Sequence, residues 1–154
     1  MKEATEAVLI LGHGSHLNPG SSEPVHGHAD ALRESGDFDE VKTAFWKEEP
    51  SFREVLRTVE SDRIYAVPFF MAEGYFVDQV IPRELRLPVD GVVYTEPVGT
   101  HASMTDVIEQ RADSAYDGGT NEDVALAVVG HGTDRNPKSA ESALEHVGRI
   151  RNRG

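Results

Sequence analysis

Cysteine is absent from the 154 residues, which excludes disulfides, thiolate metal sites and cysteine nucleophiles. No apolar run approaches the roughly 20 residues that span a bilayer, and the first six residues, Met1 to Glu6, are charged rather than leader-like. A cytoplasmic chain with no membrane partner is expected. Lysine is scarce, occurring only at Lys2, Lys42, Lys47 and Lys138, and 15 basic side chains stand against 27 acidic ones. Such a surface lacks the clustered positive charge that phosphate backbones require, so no nucleic acid partner is expected. It suits a halophilic setting, where the Debye length falls to about 3 Å and self-repulsion is screened. Familiar loops are missing too. Gly12-His13-Gly14-Ser15 runs into His16-Leu17 without a third glycine, there is no Gly-x-Ser-x-Gly elbow, and no Gly-Lys-Ser or Gly-Lys-Thr occurs. Dinucleotide binding, serine hydrolysis and P-loop chemistry therefore have no motif to rest on, and the same holds for a small phosphatase.

What is present is an alternation of strand-length apolar runs with helix-length amphipathic runs, the pattern of a parallel sheet built from βα units. Strands are expected at Ala7 to Leu11, Glu40 to Trp46, Arg63 to Phe70 and Gly91 to Tyr94. Helices are expected from Ser21 to Glu34, from Pro50-Ser51 onward with Phe52, Val55, Leu56 and Val59 on one face, from Val77 to Leu87 with an interruption at Pro82, and from Ser103 to Tyr116. The fold class is α/β: three layers, with a parallel four-stranded sheet in flavodoxin-like order flanked by helices. Residues 1–117 form this module, 118–123 read as a linker, and 124–154 add one further βα unit, a strand at Val124 to Val129 and a helix at Ser139 to Arg151. A lone βα unit cannot bury its own faces. It must pack on the first module or on another chain, as in a homodimer, unless a missing C-terminal module covers it.

One stretch occurs twice. Gly12-His13-Gly14-Ser15 followed by Asn18-Pro19 reappears as Gly130-His131-Gly132-Thr133 followed by Asn136-Pro137, at an offset of 118 that also pairs His28 with His146. Both copies leave the carboxyl end of an expected strand and enter a helix, where open α/β sheets bind ligands. Flanking glycines let the backbone approach a ligand and expose the imidazole, and the helix N-terminus beyond can hold an anion. The plainer alternative is a tight turn whose histidine only caps. Neutral imidazole ligates cobalt, nickel, iron or zinc, given further ligands from protein or substrate. His26 and His28, two apart in one helix, point to different faces and read as exposed or capping. His101 lies on the same ligand-binding edge, suited to substrate contact or to a local hydrogen bond. Glu48, Glu49 and Glu73 also follow strand ends, as proton acceptors or as solvated loop acids.

Leu11-Gly-His-Gly-Ser15, Ala44-Phe45 with Pro50-Ser51, Val67-Pro-Phe-Phe-Met-Ala-Glu-Gly74 running on to Ile81-Pro82, and Glu96-Pro-Val-Gly-Thr-His101 together resemble the class II tetrapyrrole chelatases of the sirohydrochlorin cobaltochelatase (CbiX-like) type. The match covers most of the chain, and the second Gly-His-Gly-Thr block resembles the start of the second half in long, two-module members. The resemblance implies a cytoplasmic lyase of cobalamin biosynthesis that inserts a divalent metal (Co²⁺, with Ni²⁺ or Fe²⁺ handled by relatives) into sirohydrochlorin or a related tetrapyrrole. Under it, His13 carries over as metal ligand, with His131 as the second copy's counterpart. His13, Glu48 and Glu73 form the expected catalytic set, and Gly14, Ser15, Gly74 and His101 border the small molecule. Three family positions depart. The histidine expected two residues after Gly74 is Phe76, the acid expected before Ile81-Pro82 is Val80, and the acid after the second strand is displaced, Trp46-Lys47-Glu48-Glu49 being one residue shorter than the common spacing. Phenylalanine offers no lone pair, so this chain alone is expected to insert cobalt poorly. The alternative is a non-catalytic module that binds a tetrapyrrole or a metal.

Overall fold

The computed structural model describes residues 3–116 and 124–154; the expected linker, 118–123, lies outside them. Four parallel strands form one sheet in the order β2-β1-β3-β4: β1 Glu6–Gly12, β2 Glu40–Phe45, β3 Arg63–Pro68 and β4 Val92–Tyr94. The flavodoxin-like order expected from the sequence is the one observed. β1 is central because its apolar run, Ala7 to Leu11, is buried on both faces. It pairs with β2 from Ala7↔Glu40 to Gly12↔Phe45 and with β3 from Glu6↔Arg63 to Leu11↔Pro68.

The two-residue period of β1 divides the interior into two cores. Ala7, Leu9 and Leu11 face Ala44, Phe52, Val55, Ala66, Ile81 and Leu85, under α2 (Phe52–Val55) and α3 (Ile81–Leu85). Val8 and Ile10 face Val25, Ala29, Val41 and Phe45, under α1 (Glu23–Ser35). Helix α4 (Ser103–Ala115) lies on this second side, where Met104 and Val107 border the same groove as Val8 and Ile10. Proline sits in the first turn of α1 and Gly36 ends it in the left-handed region, φ 72°. Among the described residues no helix is long and apolar enough to cross a membrane.

Three departures from the sequence reading bear on the site. First, the helix after Ser51 is short; a 3-10 turn, Leu56–Thr58, completes it, although Phe52 and Val55 are buried as their spacing required. Second, the interruption expected at Pro82 precedes it: Phe76–Val80 form a π turn in which the Ile81 N–H donates to the Phe76 carbonyl. The hydrogen-bond register thus shifts before the ring that would clash with it. Third, no strand forms at Val124 to Val129, and Val129 is 90% exposed. A strand needs a neighbour for its amides; three-residue β4 pairs with β3, and residues 124–130 join no sheet.

The helix of the extra unit does form, as α5 (Lys138–Arg153), and it packs on the first module. The Ser142 hydroxyl donates to the Met71 carbonyl at 2.9 Å, and His146, 3% exposed, donates from Nε2 to the Gly99 carbonyl at 2.6 Å. Because Nε2 is the donor there, Nδ1 accepts from the Thr105 hydroxyl at 2.8 Å. Arg153 adds ion pairs to Asp106 and Glu109 of α4.

Candidate functional site

Every loop that follows a strand emerges on one edge of the sheet, because all four strands run in parallel. The loop after β1 carries His13, which is exposed. Its Nδ1 lies 2.8 Å from the Gly14 carbonyl oxygen. A carbonyl can only accept, so Nδ1 carries the proton and Nε2 keeps its lone pair for a ligand. Gly14 has φ +66°, the left-handed backbone that favours glycine, and a Cβ there would press on the Glu48 carboxylate at 2.9 Å and displace it.

Glu48 is the brace of this loop. Its carboxylate accepts the Ser15 N–H at 2.7 Å and the Ser21 hydroxyl at 3.4 Å. The Ser15 amide first, then the Ser22 and Ser21 hydroxyls, hold its carboxyl below the ordinary value of 4.5. Ser15 is likewise turned into the loop, its hydroxyl accepting the amides of Leu17 and Asn18. The geometry of Glu48 and Ser15 is that of groups which position His13.

Phe76 occupies the place where a second imidazole was sought. Its ring meets His13 edge-on, centroids 5.0 Å apart. It also stacks on Phe70 at 5.9 Å with an interplanar angle of 16° and meets Trp46 at 6.0 Å. The π turn that presents Phe76 is tied to β4, where the Tyr94 hydroxyl donates to the Val77 carbonyl at 2.6 Å. Burial pushes that hydroxyl's pKa up.

The second Gly-His-Gly loop reproduces the first in its internal bonds. Leu17 N–H to Ser15 Oγ at 3.2 Å has its counterpart in Arg135 N–H to Thr133 Oγ1 at 3.2 Å. Gly20 N–H to Asn18 Oδ1 corresponds to Lys138 N–H to Asn136 Oδ1, and Gly132 repeats the left-handed backbone of Gly14 at φ +58°. This loop lies against the turn after β3. Lys138 Nζ is 2.9 Å from Glu73 Oε2, and a Cβ on Gly74 would stand 3.7 Å from Asn136 Nδ2. Between them runs a cleft of about 660 Å³ bordered by Phe70, Gly74, Tyr75, Phe76, Asp78, His131 and Arg135. Its size falls in the range of small-molecule sites.

Of the residues singled out from the sequence, His131 and Gly74 border this cleft, while His13 does not line it and reaches it only through its ring contact with Phe76. Glu73 does not line the cleft: its carboxylate is engaged with Lys138, and the pair borders a separate polar cavity of about 230 Å³ with Glu96 and Glu141. His101 does not join them: its Nδ1 accepts from the Ser103 N–H at 3.2 Å and lies 2.7 Å from Ser103 Oγ, holding the first turn of α4. It borders a separate cavity of about 520 Å³. His26 and His28 lie against Phe45 and Phe69. Among the described residues no three histidine or acidic side chains are grouped to hold a metal. A metal at His13 would therefore take its remaining ligands from elsewhere, as a metal in transit to a substrate does. Sequence reasoning missed the structural roles of His146 and Gly99. A Cβ on Gly99 would fall 2.1 Å from the Met71 carbonyl oxygen, so only glycine lets this loop lie against the turn after β3; the motif Pro97-Val-Gly-Thr100 was the available signal.

The CbiX sequence family matches this chain over residues 7–115. The chain belongs to the CbiX family. A probable sirohydrochlorin cobaltochelatase of Halobacterium salinarum is 54% identical over 97% of this chain, and the chain spans 60% of that relative's length. The sirohydrochlorin cobaltochelatase of Methanopyrus kandleri is 32% identical, aligned over 71% of this chain and 96% of its own. Among solved structures, a multi-domain Deinococcus radiodurans protein with structural similarity to chelatases superposes with a TM-score of 0.80 at 33% identity. It covers 98% of this chain and 36% of that protein. The Bacillus subtilis sirohydrochlorin chelatase SirB, in complex with cobalt, shares the fold, with a TM-score of 0.58 and 18% identity over 71% of this chain and 50% of its own.

Proposed function

We propose that this chain presents a divalent metal, Co²⁺ first, from His13 to sirohydrochlorin or a closely related tetrapyrrole lying in the cleft between the turn after β3 and the second Gly-His-Gly loop. The observation that carries the reading is the exposed His13 ring, with its proton on Nδ1 and its Nε2 lone pair free, edge-on to an aromatic group that suits a planar macrocycle. In the reaction, two pyrrolic N–H protons leave as M²⁺ passes from imidazole nitrogen to the ring nitrogens. Imidazole is a ligand that cobalt accepts and can exchange for ring nitrogens, and the His131 ring in the cleft supplies a proton acceptor; Glu73 is engaged with Lys138. Glu48 serves by holding the His13 loop. The relatives' names support cobalt and sirohydrochlorin; Ni²⁺ and Fe²⁺ are metals the same imidazole accepts.

Phe76 favours a second reading, in which this chain binds the tetrapyrrole or the metal without efficient insertion, because no second imidazole stands beside His13. Absorbance spectroscopy separates the two. Sirohydrochlorin is titrated with the chain alone, and Co²⁺ is then added. A shifted spectrum that converts to the cobalt form, with conversion lost in His13→Ala, supports metal presentation. A shifted spectrum that does not convert supports the tetrapyrrole-binding module; no shift at all overturns metal presentation and tetrapyrrole binding alike, and cobalt absorption without sirohydrochlorin then decides whether the chain binds the metal alone.

A further inference from the structure

We propose that Arg135, supplied by the second Gly-His-Gly loop, is the residue that anchors a carboxylate of the ligand in this cleft. The inference rests on the function proposed above and adds to it the group that reads the acidic periphery of the macrocycle. Arg135 borders the cleft with Phe76 and Tyr75, and its guanidinium makes no ion pair with any described residue. Lys138, three residues on, is committed to Glu73 at 2.9 Å, and Arg149 and Arg153 of the same segment pair with Glu145, Asp106 and Glu109. In a chain of net charge −12, an arginine beside an aromatic wall that leaves its five donors unspent on protein acids is matched to an acid from outside.

The backbone of Arg135 is fixed while its side chain is not engaged: its amide donates to Thr133 Oγ1, and the Thr133 amide to Ser139 Oγ at 2.9 Å. The repeat sharpens the point. The residue in the same place of the first loop is Leu17, 95% exposed. Two loops of one geometry thus carry an apolar tip and a cationic tip, and only the cationic one borders the cleft. Asp78 lies on the same wall, so a polyacidic ligand meets one repelling group there. A single guanidinium is then the element that makes approach favourable.

The experiment titrates metal-free sirohydrochlorin into the wild-type chain, Arg135→Gln, Arg135→Lys and Arg151→Gln, following the ligand's absorbance. Arg151→Gln removes the same charge from exposed α5 outside the cleft. The expected result is a loss of about tenfold in affinity for Arg135→Gln, as for a lost charge-assisted hydrogen bond, partial recovery in Arg135→Lys, and little change in Arg151→Gln. Circular dichroism at 222 nm reports whether each variant is folded. If the wild type binds and folded Arg135→Gln binds equally well, or no worse than Arg151→Gln, the anchoring role is overturned while the proposed function stands. If the wild type does not bind, the proposed function fails and this inference with it.

Discussion

Replacing His146 by leucine should release α5 from the first module. The imidazole is almost wholly buried, and it satisfies both the Gly99 carbonyl and the Thr105 hydroxyl. Leucine fills nearly the same space, so the cost is polar rather than a matter of volume. Two buried hydrogen bonds contribute about 1 kcal/mol each, and a carbonyl left without a donor costs about 1–3 kcal/mol more. The sum is about 3 kcal/mol at its lower end, set against a helix whose other ties are the Ser142 hydroxyl bond and exposed ion pairs of little net value. Since α5 contributes no strand to the sheet, it can open locally without unfolding the rest. Hydrogen exchange of α5 amides is therefore the informative assay: about 3 kcal/mol corresponds to roughly a hundredfold faster exchange through local opening, with β1 amides much less affected. The reasoning is refuted if α5 exchanges at the wild-type rate in His146→Leu, or if β1 and α5 accelerate together by the same factor.

Glycine substitutions supply a paired test. Gly99→Ala drives a Cβ into the Met71 backbone and should cost more than about 3 kcal/mol by the steric mechanisms that produce large effects. Gly27→Ala, inside α1 with open space around its Cβ, should stabilise by about 0.5–1 kcal/mol; urea denaturation measures both. Glu48→Gln should flatten the acid limb of the stability curve. The folded carboxyl lies below its ordinary value of 4.5, so its contribution is complete above that pH and disappears as pH falls through the lower folded pKa; equal acid midpoints for both proteins would falsify this. Phe76→His places a second imidazole where a ring already meets His13 at 5.0 Å and should tighten Co²⁺ binding, read from the cobalt d–d absorption, with the gain lost on His13→Ala.

The sheet was legible because its determinants are short in sequence: five apolar residues in β1, alternately committed to two cores, predict a central strand whatever the rest does. The strand expected at Val124 to Val129 had the same apolar character and failed, because an apolar run becomes a strand only where a neighbouring strand exists to pair with it. His101 and Glu48 show the corresponding limit for the site. Their positions at strand ends were readable, but whether a side chain faces a ligand or its own loop depends on which amides lie within about 3 Å. Those amides belong to Ser103 in one case and to Ser15, 33 residues away, in the other. Phe76 was legible as a departure from the family pattern; that its ring packs edge-on to His13 was not, since the π turn that aims it comes from Pro82 and the Tyr94 tie.

The two histidine loops explain why one element of a repeat can persist when the rest does not. Every bond that shapes the second loop is local: Thr133 to Arg135, Asn136 to Lys138 and Ser139, Ser139 back to Thr133. Such a loop keeps its form without a strand beneath it, whereas the first is also clamped by Glu48 from the neighbouring βα unit. The second loop is accordingly free to serve the first module's site, set there by Lys138 on Glu73 and by α5 on Met71 and Gly99. The cleft so formed joins aromatic surface from the first module to imidazole and guanidinium from the second loop. On this view, His146 and Lys138 matter to ligand binding through the placement of residues 131–136. His146→Leu should then weaken sirohydrochlorin binding in proportion to the fraction of α5 that is open, and the two measurements can be compared on one sample.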